Sequence, residues 1–407
     1  MVIPSRSAFG SAALLLVLLL SACRAATPEG SPARPARAPV SILPPEREAT
    51  FDEAAKRFYA ELSAGDRPAA AATLRSLERL DAPACSGGAW LADPPGDSRT
   101  VAGARAIVTF DAQGRAVHVR TFAGCLAHAE PSLLVEARER RTVIDLGRSS
   151  FTARAGFTDP VLVSRGWVLA ADDDGWLAIS RPREVSRRIP SRARDGEGPP
   201  RGVAVAGRFL AFEGPASKLH VQRDDHDGGV PARGCDGALL GAASVTDEEV
   251  ILHTSDAAVS SPAGTQLCWV RRDGVVRARV ALGVATCGLA RAVPCAWQLQ
   301  ASTATLLGFG GMRGSLKVVD ARTGADLPWT LPEGYRTEGG SPSHFAACGE
   351  RLCASVVDDE GRPSVVAETR SSHALAFTPL PEAPRRYCDV HGLPVPRELC
   401  PEDAQPP

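Results

Sequence analysis

The chain has 407 residues, 44% of them hydrophobic and 23% charged, and its 46 basic and 47 acidic side chains leave a formal net charge of −1. So even a balance provides no long-range attraction toward nucleic acid, which argues against that partner class. The length exceeds what one compact core holds unless the fold is a large barrel or propeller, so one large unit with a small one beside it is expected.

The first element is a short apolar run. Arg6 precedes Ala8 to Leu20, and Leu20-Ser21-Ala22-Cys23 follows. As a helix this run reaches only about 20 Å, short of the roughly 30 Å hydrocarbon core that a transmembrane span needs. A cationic start, a short apolar stretch and small residues before a thiol resemble a bacterial lipoprotein signal. The resemblance implies removal of residues 1–22 as a signal peptide, acylation of Cys23 with palmitate among the chains added, and a lipid-anchored place in the cell envelope. Arg24, with no Asp beside the lipidated cysteine, implies the outer membrane, on its periplasmic or surface face. Residues 23–45 carry Pro28, Pro32, Pro35, Pro39, Pro44 and Pro45 with little apolar bulk, the composition of an extended tether.

A helical hairpin is expected over 46–82. Thr50 and Glu53 have capping-box spacing, and Phe51, Ala54, Ala55, Phe58, Tyr59 and Leu62 recur at helical period until Gly65. Asp66 and Pro68 then start a second helix whose Ala70, Leu74, Leu77 and Leu80 share a face. The pair, with its Ala64-Gly65-Asp66 turn, resembles one tetratricopeptide unit. One such unit cannot bury its own apolar face, so it is read as a cap on the main domain.

From about residue 100 to 388 the period changes to alternating or apolar strands around tight polar tips. The tips run from Asp111 to Gly114, Asp172 to Gly175, Asp225 to Gly228, Arg271 to Gly274, Ala321 to Gly324 and Asp358 to Gly361, their glycines 61, 53, 46, 50 and 37 residues apart. Strands are expected at Trp167–Ala171, Trp176–Ser180, Phe209–Phe212, Val250–His253, Leu267–Val270, Leu316–Val319 and Ala354–Val357. Recurring hairpins at this interval predict a mainly β fold, a β-propeller of about six blades, with a pair of β-sandwiches as the alternative. The stretch Val318 to Trp329 resembles the Asp-x-x-Thr-Gly-x-x-x-Trp signature of quinoprotein-like and YVTN repeat propellers, with one residue inserted before the Trp. There Asp320 and Thr323 would bond the turn backbone, Gly324 would take a positive φ, and Trp329 would pack between blades. Quinone-dependent members hold their cofactor against an adjacent-cysteine disulfide and a Ca2+ site; no two cysteines are adjacent here, and no cofactor is expected.

With Cys23 assigned to lipid, ten of the 11 cysteines remain, an even number suited to disulfides in an oxidising compartment. Sequence separation suggests Cys287–Cys295, Cys348–Cys353 and Cys388–Cys400, with Cys85–Cys125 and Cys235–Cys268 closing longer loops. No Cys-x-x-Cys pair occurs, so thiolate metal binding has no support.

The acidic tips at Asp172–Asp174, Asp224–Asp227 and Asp358–Glu360 could gather oxygens for Ca2+, although Asp and Gly are what hairpin ends demand anyway. The eight histidines show no His-x-x-x-His pair, and no Gly-x-Ser-x-Gly elbow accompanies them. Arg181, Arg183, Arg187, Arg188, Arg192 and Arg194, among several prolines, read as a long exposed loop, and 389–407 as an irregular tail. The function these features favour is a monomeric, non-catalytic binding or assembly scaffold, held to the membrane by lipid and contacting a protein or envelope polymer. The alternatives are an extracytoplasmic enzyme with its site in the propeller channel, and a structural surface lipoprotein.

Overall fold

Two helices precede the sheets. In a computed structural model the described residues are 45–80, 85, 100–122, 124–138, 141–154, 161–190, 202–214, 217–255, 264–283, 285–287, 293–310, 316–337, 345–348, 350–370, 375–380 and 386–401. All belong to one compact unit, Val40–Pro407. The segments read as a signal and a tether, with Cys23 between them, lie outside the described residues up to residue 44.

Helix α1 spans Pro45–Ala64 and α2 spans Arg67–Leu77. The start of α1 corrects the capping-box reading: Thr50 lies inside the helix, which begins at Pro45, where the missing proline N–H is one of the donors left unpaired in any first turn. Asp66 caps α2, its carboxylate accepting from the Ala69 amide at 3.1 Å. Replacing Asp66 by Ala is expected to cost about 1 kcal/mol, measurable as faster hydrogen exchange in the first turn of α2. The buried stripe Phe51, Ala55, Phe58, Tyr59 and Leu62 meets Ala70, Leu74 and Leu77, and both join Val101, Val108 and Phe110 of the first sheet and Val390, Leu393 and Val395 near the C-terminus in one core.

The sheets follow in sequence. Sheet I contains Thr100–Ala102, Ala106–Phe110 and Ala116–Thr121; sheet II contains Cys125–Glu130, Leu133–Arg138, Arg141–Asp145 and Ser150–Ala153. Sheet III contains Val161–Val163, Trp167–Asp172, Gly175–Ser180 and Val185–Pro190; sheet IV contains Val203–Ala206, Phe209–Glu213, Leu219–Arg223 and Val230–Pro231. Sheet V contains Ala238–Ser244, Glu249–Ser255, Thr265–Arg271 and Val276–Gly283; sheet VI contains Gln298–Ser302, Leu306–Gly310, Leu316–Asp320 and Asp326–Leu327. In sheet VII, Phe345–Cys348, Arg351–Asp358, Pro363–Arg370 and Leu375–Pro379 form the meander, Tyr335–Arg336 also pairs with Arg351–Asp358, and Trp329–Thr330 runs parallel to Leu375–Pro379 on the outer edge.

Consecutive sheets pack face to face. The first strands of IV, V, VI and VII lie side by side, and separate apolar layers fill the seams II–III, III–IV, IV–V, V–VI and VI–VII. A middle strand therefore buries both faces, which is why Trp167–Asp172 is an apolar run instead of an alternating one. A backbone hydrogen bond repeats from sheet to sheet: the residue after the third strand donates to the turn between strands one and two. It joins Phe122 to Arg105, Arg181 to Gly166, Asp224 to Arg208, Arg272 to Glu248 and Ala321 to Thr305, at 2.9–3.1 Å. Meanders stacked through successive seams make a β-propeller, and the sandwich alternative is set aside. The uneven spacing of the polar tips also has a structural cause. Those at Asp111, Asp172 and Asp358 join strands two and three, whereas those at Asp225, Arg271 and Ala321 join strands three and four.

Two segments differ from expectation. The arginine-rich stretch is the outer strand of sheet III over Val185–Pro190, because Ile189 enters the core and Arg187 lies over the Phe212 ring at 4.6 Å; Arg192 and Arg194 lie outside the described residues. The C-terminal region is a hairpin, Tyr387–Val390 with Leu393–Pro396, whose Val390, Leu393 and Val395 are buried among the helices. Its turn places His391 and Gly392 at φ 52° and 84°, and Tyr59 donates to the Pro394 carbonyl at 3.2 Å.

Candidate functional site

In an antiparallel meander, the turns joining strands one to two and three to four emerge at the same end. Across sheets II to V this end carries a chain of ion pairs. Arg181 after the third strand of III reaches Glu130 of II, which also meets His128 Nε2 at 2.8 Å. Partial burial pushes the Glu130 carboxyl up, yet hydrogen bonds from His128 and Arg181 prevail and hold it below the ordinary range. Arg183 pairs with Asp227, joining III to IV. Within IV, Arg208 meets Asp224 at 2.7 Å and Asp225 at 3.2 Å. Arg223 contacts Asp225 at 2.5 Å and Glu248 of V at 2.9 Å, while Glu248 also receives Arg272 at 3.1 Å. Arg165 of III reaches Asp247 of V at 3.0 Å, over the intervening turn of IV. The Arg223 hydrogen bond outweighs desolvation and holds the Asp225 carboxyl far below its usual range.

Beside this chain Glu248, Glu249, Arg271, Arg272 and Asp273 line an open groove. Arg181, Arg208, Arg223 and Asp224 are mostly buried, whereas the Arg165–Asp247 and Arg272–Glu248 pairs are largely exposed and add little to stability. Their effect is geometric: each carboxylate and guanidinium is fixed by its neighbour, so the face presents charges of both signs in preset positions.

The sequence-predicted sites are dispersed. The Asp172 and Asp358 tips lie at the opposite end from the Asp224–Asp227 turn. Asp172 is buried and accepts from the Arg154 amide at 2.6 Å while pairing with Arg188. Asp358 accepts from the Arg362 amide and pairs with its side chain at 2.7 Å. Among the described residues no group of three or more His, Cys, Asp or Glu is arranged to hold a metal ion. In the turn after the third strand of VI, Asp320 Oδ1 accepts from the Arg322 and Thr323 amides and the Thr323 hydroxyl, and Gly324 has φ 75°; Trp329, itself on the outer edge of sheet VII, packs edge-on to Phe345 and Phe377 of that same sheet. Disulfides join Cys85–Cys125, Cys235–Cys268, Cys348–Cys353 and Cys388–Cys400. The side chains of Cys287 and Cys295 lie outside the described residues, although their strands pair.

One residue had no signal in the sequence. His253 on the second strand of V is fully buried, edge-on to Phe309 of VI with centroids 5.3 Å apart, and among the described residues neither ring nitrogen has a hydrogen-bond partner. Burial pushes its pKa down to about 4 from an ordinary 6.5. The unfolded chain therefore binds the extra proton first, and stability falls as pH drops from about 6.5 toward 4, by up to about 3 kcal/mol. The check is the difference between wild type and His253→Leu in denaturant unfolding at pH 7 and pH 4.5. The variant should lack this component of the acid sensitivity.

No family model matches the chain, and no curated protein sequence matches it. Solved structures do. The chain is similar to Hsv2p of Kluyveromyces lactis at 11% identity, over 69% of this chain and 93% of that one, with a TM-score of 0.42. It is similar to the computationally designed Ika8 protein at 12% identity, over 70% and 94%, with a TM-score of 0.39. It is also similar to apo AztD of Citrobacter koseri at 10% identity, over 69% and 97%, with a TM-score of 0.34. The fold assignment rests on the chain's own sheets.

Proposed function

We propose that the protein is an exported, lipid-anchored scaffold of the cell envelope, acylated at Cys23, whose propeller binds a protein or envelope polymer through its ion-paired turn face. The observation that carries the reading is the continuity of that face: paired charges run over four consecutive sheets and end at the groove between Glu249 and Arg271. A partner with complementary charges would meet side chains already held in place, and their ordering would cost little on binding. The four disulfides support an oxidising, extracytoplasmic compartment.

The test is cross-linking in native envelopes, comparing the wild type with Arg271→Glu/Arg272→Glu and with Cys23→Ala. A saturable partner lost in the double variant supports the binding face. Equal capture by both chains overturns it. Incorporation of labelled palmitate into the wild type and none into Cys23→Ala supports the anchor, and incorporation into both overturns it.

A further inference from the structure

The described arginines of sheets III and IV are matched to acids, with one exception. Arg165, Arg181, Arg183, Arg188, Arg208 and Arg223 each meet a carboxylate. Arg187, in the middle of the outer strand of III, meets none among the described residues. Its partners are the Phe212 ring, 4.6 Å away, and the Gln222 side-chain oxygen, both of sheet IV. The side chain is also partly buried, and burial pushes its pKa down from the ordinary guanidinium value with no acid opposing the shift.

The surroundings decide which edge of the guanidinium is left over. Gln222 is buried, and its amide nitrogen donates to the His226 carbonyl at 2.7 Å, which turns the amide oxygen toward Arg187 Nη1. Phe212 covers one face of the guanidinium. The remaining nitrogens, Nε and Nη2, have no acceptor among the described residues, and both reach solvent at the rim between the two sheets. They form the side-on edge whose two parallel N–H groups match the two oxygens of a carboxylate. The same apolar layer holds a second donor in want of an acceptor: Trp176 is buried there, and its indole N–H has no partner among the described residues. Beside Phe212 the neighbouring ring is His220, stacked on it with centroids 5.4 Å apart, and Lys218 is exposed two residues before that. This stretch of the III–IV seam is therefore rich in donors and short of negative charge.

We propose that the Nε–Nη2 edge of Arg187 is a binding site for a carboxylate, which meets it in a two-point fork beside the Phe212 ring. The ligand supplies the counter-charge that every other described arginine of these two sheets finds within the chain. The site lies along the strands and not at the ion-paired turns, and it does not depend on that face.

The probe is propionate, titrated at constant ionic strength against the oxidised full chain in detergent, with propionamide and inorganic phosphate as controls. Calorimetry reads the affinity, and the Nε–H resonance of Arg187, identified by its absence in Arg187→Lys, reads the place. Propionate should bind on the order of tenfold tighter than propionamide, as a charged two-point pair requires, and should move that resonance in a saturable way. Arg187→Lys keeps the charge and loses the fork, so most of the preference should disappear; Arg187→Gln serves instead should that variant fail to fold. An acetyl-Gly-Glu-Gly-amide arm separates the sources: tighter binding than propionate points to a side chain of a polypeptide, weaker binding to a free acid. The proposal is overturned by no saturable binding, by a resonance that does not move, by phosphate binding as tightly, or by unchanged affinity in Arg187→Lys. It is also overturned if binding appears only in Asp195→Asn/Glu197→Gln, since a carboxylate of this chain would then fill the site.

Discussion

Replacing Trp269 by Ala is expected to lower the unfolding free energy by about 3–5 kcal/mol. Trp269 lies on the third strand of sheet V with no exposed surface, in the apolar layer shared with Leu307, Phe309 and Val319 of sheet VI. Its indole N–H donates to the Ala321 carbonyl at 2.9 Å. The ring edge also occupies the space beside Gly324: a Cβ there would sit 2.7 Å from the indole and 2.8 Å from Val280. The signature turn and the tryptophan of the preceding sheet are thus one structural unit, and truncation leaves both a cavity and an unpaired carbonyl. Trp269→Phe separates the two contributions, since it keeps most of the packing and loses the hydrogen bond, at about 1–2 kcal/mol. Urea midpoints of the oxidised proteins measure both. A loss under 1 kcal/mol for Trp269→Ala would mean that the V–VI seam does not depend on this side chain.

The same unit shows what the sequence makes legible. Asp320, Thr323 and Gly324 are readable because a tight turn is local chemistry: the carboxylate caps amides two and three residues on, and a positive φ selects glycine. The strands flanking Trp167, Phe209, Val250 and Leu267 are legible for a related reason, that burial between two sheets demands short apolar runs. The uneven 37 to 61 residue spacing was ambiguous because Asp-Gly tips mark turns at both ends of a sheet, and only strand pairing tells them apart. Val185–Pro190 reads as a loop because its arginines conceal an outer strand, where Arg187 uses its stem and its charge against Phe212. The Pro394 and Pro396 hairpin is likewise hidden until its buried valines meet the helices. His253 and the ion-paired face depend on residues from neighbouring sheets, and no single-segment pattern records such contacts.

Simultaneous replacement of Cys235 and Cys268 by Ala is expected to cost about 4 kcal/mol, against about 2 kcal/mol for the Cys348 and Cys353 pair. The ordering follows from loop length: the first bridge closes a separation of 33 residues and the second a separation of 5, so the first removes more freedom from the unfolded chain. Packing acts in the same direction. Cys235 and Cys268 are 2% and 0% exposed in the core between sheets IV and V, where smaller side chains leave a void, whereas Cys348 lies partly open on a hairpin. Denaturant unfolding of the two double variants, each compared with the oxidised wild type, measures the difference. Equal losses would show that reduced-chain entropy does not govern these bridges. The expected inequality would make the IV–V seam more dependent on an oxidising compartment than the Cys348–Cys353 hairpin. Arg223 of sheet IV and Glu248 of sheet V pair across the same two sheets at 2.9 Å, so loosening this seam should also weaken the continuity of the charged face.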